Sequence, residues 1–173
     1  IRDSLLMMSG ELDREIAREV LEGITTLSPS PEALKRNREI YEASTRRSVY
    51  LPIVRTNVYQ MFALFDFPNP AFPTGNRNAT TVPTQSLLMM NHKWVSEIAE
   101  KMAARLFEQS SNDVARVEYA YRLAFARLAT SQEVRSALDF ISEFCDSEGA
   151  SREDAWIAFC HLVLLSNEMI NVN

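Results

Sequence analysis

The sequence predicts a mainly α-helical protein, a helical bundle with one long ordered loop and room for one short edge strand. Three observations predict this fold class. The 173 residues include four Gly and seven Pro, too few for a β-sandwich with many turns or for a nucleotide fold with glycine-rich loops. Apolar residues recur at helical spacing over most of the chain. Residue types that start and stop helices stand between these periodic segments.

Short helices are predicted in residues 1–45. The first two run from Ile1 to Ser9 and from Asp13 to Glu22, and each is followed by a Gly, the residue that most readily adopts the left-handed conformation ending a helix. A third helix is predicted to begin at Pro31, after Ser30, because proline suits the first turn of a helix. This part of the chain is therefore expected to be helical and connected by tight turns.

Residues 46–84 form the irregular part of the prediction. The segment 47–53 has alternating and β-branched residues, which is typical of a short strand, and Pro52 restricts such a strand to an edge. A helix is predicted over residues 57–65, where apolar residues recur at helical spacing. Residues 66–84 show no periodic pattern. A loop of this length inside a compact domain is more often functional or well packed than idle.

Four helices are predicted in residues 85–173. Residues 85–107 and 113–128 each carry an apolar stripe. The third and fourth helices are predicted to start after Thr130 and Ser151, because an acidic residue follows three positions later in the spacing of a capping box. The last helix is the most apolar, so we expect it to lie centrally between the others.

Charge and hydropathy exclude several classes of protein. With 18 Lys plus Arg against 23 Asp plus Glu, the net charge is -5, which argues against a general nucleic-acid binder. The longest apolar stretch, around residues 155–165, is too short for a membrane span. The sequence begins at Ile1 without Met, shows no signal peptide and is expected to be an excised piece. We expect residues 1–173 to form a single domain.

No metal site or haem attachment site is predicted, and no cofactor is expected in this fragment. Cys160 and His161 match the end of a c-type haem motif, but Ile157 stands where its first Cys would be. The histidines and cysteines share no zinc-ligand spacing; His161 is interpreted as a core or boundary residue and His92 as a partly exposed helix residue. Cys145 and Cys160 are expected to be two separate buried thiols, with a disulfide as the alternative.

The sequence contains no nucleophile elbow, P-loop, dinucleotide fingerprint or metalloprotease helix motif. These absences lower the expectation of an enzyme without removing it, and no catalytic residue is assigned. Residues 46–101 are positively charged, with 6 basic and 3 acidic residues. Within them, residues 46–81 mix arginine with aromatic side chains suited to bind an anion or a sugar. The candidate ligand-binding residues are Arg47, Arg55, Asp66, Arg77 and Asn91. The alternative, which we favour, is that Asp66 pairs with an arginine to pin the long loop.

Four stretches of the sequence, taken in order, carry a resemblance to a known family. They are residues 1–6 with 9–10, residues 46–53 with 65–66, residues 77–91, and residues 120–127 with 165–171. This set resembles the planctomycete-specific C-terminal domain of unknown function, and the match covers nearly the whole chain. One departure is that the family usually has a glycine-rich stretch where residues 11–27 are charged.

The resemblance implies a context rather than an activity. Domains of this family close large exported proteins, which often carry a c-type cytochrome module near the N-terminus and another planctomycete-specific domain between. It therefore implies a periplasmic or cell-surface location, contacts with other domains of the same polypeptide, and c-type haem elsewhere in the full-length protein. The expected role is a structural or interaction module. The alternative is a domain that binds or degrades extracellular polysaccharide through the arginine, aspartate and aromatic group in residues 46–91.

Overall fold

The structure is a computed structural model that describes residues 1–16, 23–24, 30–73, 75 and 83–170. Within these ranges nine α-helices form, together with a 3-10 helix at Ser48–Tyr50 and an isolated bridge between Asp13 and Arg46. The α-helices are α1 Arg2–Ser9, α2 Pro31–Ala43, α3 Gln60–Leu64, α4 Pro83–Asn91, α5 Lys93–Gln109, α6 Asp113–Phe125, α7 Ser131–Glu148, α8 Arg152–Leu165 and α9 Asn167–Ile170. The prediction of a mainly α-helical bundle is confirmed. In these ranges we find no helix with both the length and the apolar character needed to cross a bilayer.

The chain divides into two compact units. Unit 1 comprises Ile1–Asp3 and Glu11–Leu87, and unit 2 comprises Ser4–Gly10 and Leu88–Asn173. The expectation of a single domain stays a prediction.

Two of the three helices predicted in the N-terminal part are confirmed. Helix α1 ends at Ser9, and the next residue, Gly10, has the left-handed conformation expected there, with φ 85°. Helix α2 begins with Pro31, and the Ser30 side chain accepts a hydrogen bond from the Ala33 amide at 3.2 Å. The helix predicted over residues 13–22 is wrong for its described part, because Asp13 pairs with Arg46 instead. Residues 17–22 lie outside the described residues.

The strand expected over residues 47–53 is replaced by the 3-10 helix. The amide of Tyr50 donates to the Arg47 carbonyl at 2.9 Å and that of Leu51 to the Ser48 carbonyl at 3.2 Å. These backbone groups are satisfied locally, so they are not available to a partner strand. Helix α3 is shorter than predicted, because Tyr59 has a non-helical backbone, with φ −51° and ψ 129°, and α3 starts only after it. Of the predicted loop 66–84, residues 66–73 and 75 are non-helical and 83–84 belong to α4.

The helix predicted over residues 85–107 is interrupted at His92. His92 has an extended backbone, with φ −80° and ψ 120°, and its Nδ1 accepts a hydrogen bond from the Trp94 amide at 3.3 Å. Because this is an N-cap conformation, α4 ends at Asn91 and α5 begins at Lys93. His92 is therefore a half-buried capping residue rather than a residue within a helix.

The helices of unit 2 that were predicted from capping signals are confirmed. Thr130 and Ser151 each form a complete capping box, with Glu133 and Asp154 respectively. Helix α8 contacts α5, α6, α7 and α9, so it occupies the central position that its apolar sequence predicts. Trp156 and Leu164 on this helix are fully buried.

Both cysteines are free thiols, so the disulfide alternative is wrong. Cys160 is buried as expected, whereas Cys145 is only half-buried, and its Sγ contacts the Ser151 carbonyl at 3.9 Å. His161 is half-buried, with Nε2 at 3.2 Å from the Met89 carbonyl oxygen, which confirms its interpretation as a boundary residue.

Candidate functional site

The structure describes four of the five predicted ligand-binding residues. Arg47 and Arg55 are exposed in unit 1, where Asp66 is half-buried with a left-handed backbone, φ 58°. Asn91 is exposed and belongs to unit 2. Arg77 lies outside the described residues. A ligand-binding role for this set stays a prediction.

Arg2, which is not among the predicted ligand-binding residues, donates hydrogen bonds to three main-chain carbonyls of unit 1. Only 3% of Arg2 is exposed, and its Nη1 donates to the Arg46 carbonyl at 2.8 Å. Its Nη2 donates to the carbonyl of Tyr41 at 3.3 Å and to that of Ser44. Tyr41 lies in the last turn of α2 and Ser44 is its C-cap, where carbonyls lack helical partners and carry partial negative charge. Arg2 therefore ties the end of α2 to the segment that follows it.

The neighbouring Asp3 fixes the start of the 3-10 helix. Its Oδ1 accepts hydrogen bonds from the Ser48 amide at 2.8 Å and from the Ser48 hydroxyl at 2.5 Å. Arg2 Nη1 lies 3.5 Å from the same oxygen. Burial lowers the pKa of Arg2, and the charge of Asp3 opposes that shift. Arg2 and Asp3 thus form a partly buried ion pair that holds two chain segments.

Sequence reasoning did not assign a role to Arg2 or Asp3. The signal that points to them is the first stretch of the family resemblance, in which this charged pair directly precedes the apolar Leu5 and Leu6. Charged residues beside a buried apolar run are rarely buried unless they are paired. Their hydrogen-bond partners are distant in the sequence, since Arg2 contacts Tyr41 across 39 positions and Asp3 contacts Ser48 across 45.

Unit 1 contains a cavity of about 450 Å³ beside this ion pair. Its polar lining consists of Arg2, Asp3 and Ser48. Its apolar lining consists of Ile1, Val49, Met61, Phe62, Phe65 and Phe67. The cavity is therefore largely apolar and presents one carboxylate. Several of its residues come from the first two stretches that carry the family resemblance.

Unit 2 contains an open groove of about 560 Å³ lined by residues of α6, α7 and α8. Its apolar and aromatic lining residues are Tyr121, Phe125, Ala137, Phe140, Phe159, Leu162 and Val163. Leu162 is 50% exposed although it is aliphatic. Polar side chains including Gln132 and Ser136 complete the lining. The groove thus presents aromatic and aliphatic surface to solvent.

Beside the groove, Arg127 binds two carboxylates, those of Glu133 and Glu168, and we call this set the arginine clamp. Arg127 donates to the carboxylate of Glu133 at 2.7 and 3.0 Å and to that of Glu168 at 2.7 and 2.8 Å. Its guanidinium also lies over the rings of Tyr121 and Phe125, at 5.3 and 5.6 Å from their centroids. These hydrogen bonds lower the pKa of Glu133 to about 2 and also lower that of Glu168. The clamp joins α7 to α9 through charge-assisted, two-pronged contacts.

The part of the chain that the structure describes contains no group of three or more His, Cys, Asp or Glu side chains placed to hold a metal ion.

Comparisons with curated proteins and with solved structures find no match for this chain. A family model described as PSD1, protein of unknown function (DUF1553), matches residues 1–141. This region includes every residue that lines the cavity of unit 1. Because the match covers most of the 173 residues, the chain belongs to the PSD1 family of proteins of unknown function (DUF1553).

Proposed function

We propose that this chain is a structural or interaction module of a larger exported, cytochrome-containing protein, at the periplasm or cell surface. Its partners are other domains of the same polypeptide. The exported and cytochrome-containing context is supported by the sequence resemblance. The interaction role is supported by one observation above all, the open groove of unit 2 with its aromatic lining and the half-exposed Leu162. Contiguous apolar surface of this kind, bordered by polar residues, marks contact sites.

The hydrogen bonds made by two arginines of unit 2 also favour a module over an enzyme. Arg116, 9% exposed, donates through Nε to the Ser110 carbonyl at 2.7 Å and lies 4.3 Å from the Phe107 ring centroid. Arg105 donates to the carbonyls of Met7 and Met8 at 2.8 and 3.1 Å. Like Arg2 in unit 1, these guanidinium groups bind main-chain carbonyls of their own unit. Arg105 and Arg116 do not line the groove of unit 2, so these two arginines stabilise the fold rather than standing in position for chemistry there.

The test is binding between this chain and the remainder of its polypeptide, expressed separately and measured by isothermal titration calorimetry. Leu162→Asp places a charge in the groove and is expected to weaken binding by about tenfold or more. Val114→Asp is the matched control, because Val114 is an exposed aliphatic residue of the same unit outside the groove lining. Absence of binding by the wild type, or equal losses in both variants, contradicts the proposal.

A second candidate function is binding of an acidic extracellular polysaccharide. The observation that favours it is the exposure of Arg47 and Arg55 in the positively charged middle third. Polygalacturonate at about 100 times its dissociation constant should then add about 2.7 kcal/mol of stability in a thermal-shift assay. The shift should disappear in Arg47→Ala/Arg55→Ala and persist in Lys93→Ala, which removes an exposed cation of unit 2. No shift in the wild type rejects this candidate.

A further inference from the structure

The cavity of unit 1 combines aromatic rings with a carboxylate. Its volume of about 450 Å³ lies within the range of roughly 300 to 1,000 Å³ that is usual for small-molecule sites. Phe62, Phe65 and Phe67 line it, and the rings of Phe62 and Phe67 are stacked with centroids 5.6 Å apart. Because aromatic rings carry partial negative charge on their faces, a cluster of rings attracts cations as well as apolar groups.

Asp3 adds a formal negative charge to this lining. Its side chain is 34% exposed, so the carboxylate is accessible from solvent. Oδ1 accepts two hydrogen bonds from Ser48, whereas Oδ2 accepts a single, longer one within the described residues, from the Ser48 amide at 3.1 Å. An ionised carboxylate has about four lone-pair sites. Oδ2 therefore retains the capacity to accept a hydrogen bond from a bound donor.

The charge of Arg2 offsets that of Asp3 only in part. The two Nη atoms of Arg2 are hydrogen-bonded to the carbonyls of Tyr41, Ser44 and Arg46, two of which belong to the negative end of α2. Its contact with Asp3 is longer, at 3.5 Å. The guanidinium is therefore directed at the helix end, and its side chain is only 2% exposed whereas that of Asp3 is 34% exposed. Of these two side-chain charges, the Asp3 carboxylate is the one that a molecule entering the cavity meets.

From this arrangement we propose that the cavity binds a small organic cation, with a primary ammonium group on an aromatic or aliphatic body. The ammonium donates to Asp3 Oδ2, and the apolar body packs against the phenylalanine rings and Met61. An anion is repelled by Asp3, and a sugar requires more hydrogen-bonding groups than this lining offers beside its apolar residues. The proposal does not rest on the groove of unit 2 or on the interaction role proposed for it.

The experiment is isothermal titration calorimetry of the whole chain with phenethylammonium, 2-phenylethanol and phenylacetate. The amino group of Ile1 is acetylated, because its positive charge otherwise acts on Asp3. Phenethylammonium is expected to bind at least about tenfold more tightly than the neutral alcohol of similar shape, and phenylacetate more weakly than either. Equal binding of the cation and the alcohol, or no binding of the cation, overturns the proposal.

Two variants locate the site. Asp3→Asn keeps an oxygen that can accept from Ser48 but removes the charge, and it is expected to lower cation affinity by about tenfold with little effect on the alcohol. Phe65→Leu removes an aromatic ring from the cavity lining and should lower the affinity for the cation several-fold. Phe72→Leu removes an exposed ring outside the cavity lining and should leave that affinity unchanged. If circular dichroism shows that Asp3→Asn does not fold, the two phenylalanine variants decide. Unchanged cation affinity in Phe65→Leu then overturns the proposal.

Discussion

Arg2 donates a hydrogen bond to the carbonyl of Tyr41 at 3.3 Å, across 39 positions of the sequence. Helix α2 ends at Ala43, and Ser44 follows it in an extended conformation rather than a left-handed one. The final carbonyls of α2 therefore lack the usual glycine-based cap. The Arg2 guanidinium supplies both hydrogen bonds and positive charge at this helix end, where each is stabilising.

Replacement of Arg2 should destabilise the protein strongly. Arg2→Ala leaves the carbonyls of Tyr41, Ser44 and Arg46 without this donor, and we expect a loss of about 3 kcal/mol in the free energy of unfolding. The free energy of unfolding of Arg2→Lys should lie between those of Arg2→Ala and the wild type. A single ammonium group keeps the charge but cannot donate to several carbonyls in the geometry of the planar guanidinium group. The measurement is urea unfolding followed by circular dichroism. Arg47→Ala is the control, because Arg47 is exposed, and a loss as small in Arg2→Ala as in the control contradicts the structural role.

The capping box at the start of α7 gives a second prediction. The Glu133 amide donates to Thr130 Oγ1 at 3.3 Å, and the Thr130 amide donates to Glu133 Oε2 at 2.7 Å. Thr130→Ala removes the first of these bonds and should cost about 1 kcal/mol. Ser131→Ala changes the exposed adjacent residue and should stay within about 0.5 kcal/mol of the wild type. Thermal unfolding of the two variants compares them directly, and equal stabilities would rule out a contribution from the cap.

The contrast between these two sites shows what can be predicted from sequence. The Thr130 and Ser151 capping boxes join residues three positions apart, so a local pattern was enough to predict both. The interruption at His92 depends on the conformation of its side chain, which helical periodicity on either side does not reveal. Arg2 and Asp3 contact partners 39 to 46 positions away. Such contacts are set by the packing of unit 1, and one sequence carries no local signal for them.

The sequence points to only some of the residues that line the cavity of unit 1, for the same reason. The sequence indicated the region of residues 46–91 through its arginines and aromatic residues. The cavity draws Ser48, Val49 and the phenylalanines from that region, but its charged residues come from the start of α1. Arg47 and Arg55, whose charge makes them candidate ligand-binding residues, are exposed in the structure. Charge alone therefore did not distinguish an arginine on the surface from one in the interior.

The Arg127 clamp should make stability depend on pH in acid. The folded state holds the pKa of Glu133 at about 2, below the ordinary value of 4.5, so its stabilising effect is complete above about pH 4.5 and is lost as the pH falls toward 2. We expect Glu133→Gln to be less stable than the wild type at pH 7, with the difference shrinking as the pH falls through this range. Glu143→Gln, at an exposed position of the same helix, is the control, and its stability should equal that of the wild type at each pH. A difference between Glu133→Gln and the wild type that stays constant from pH 7 to pH 2 contradicts the clamp.

The two thiols should differ in reactivity. Burial raises the pKa of Cys160 well above its ordinary value, so in the folded protein its thiolate is scarce as well as inaccessible. Cys145 is half-buried. In the native protein we expect Cys145 to react quickly with the thiol reagent DTNB. Cys160 should react with it only after the protein is unfolded in urea.

The variant Cys145→Ser assigns the two signals. It should abolish the fast reaction and leave the slow one, because Cys160 is buried in the central helix α8. Two fast reactions in the native wild type would show that Cys160 is accessible. No reaction in urea would show that the cysteines are joined in a disulfide, because both thiols are then consumed. Either result contradicts the packing of α8, since a disulfide would require Cys160 to leave the position in which the structure buries it as a free thiol.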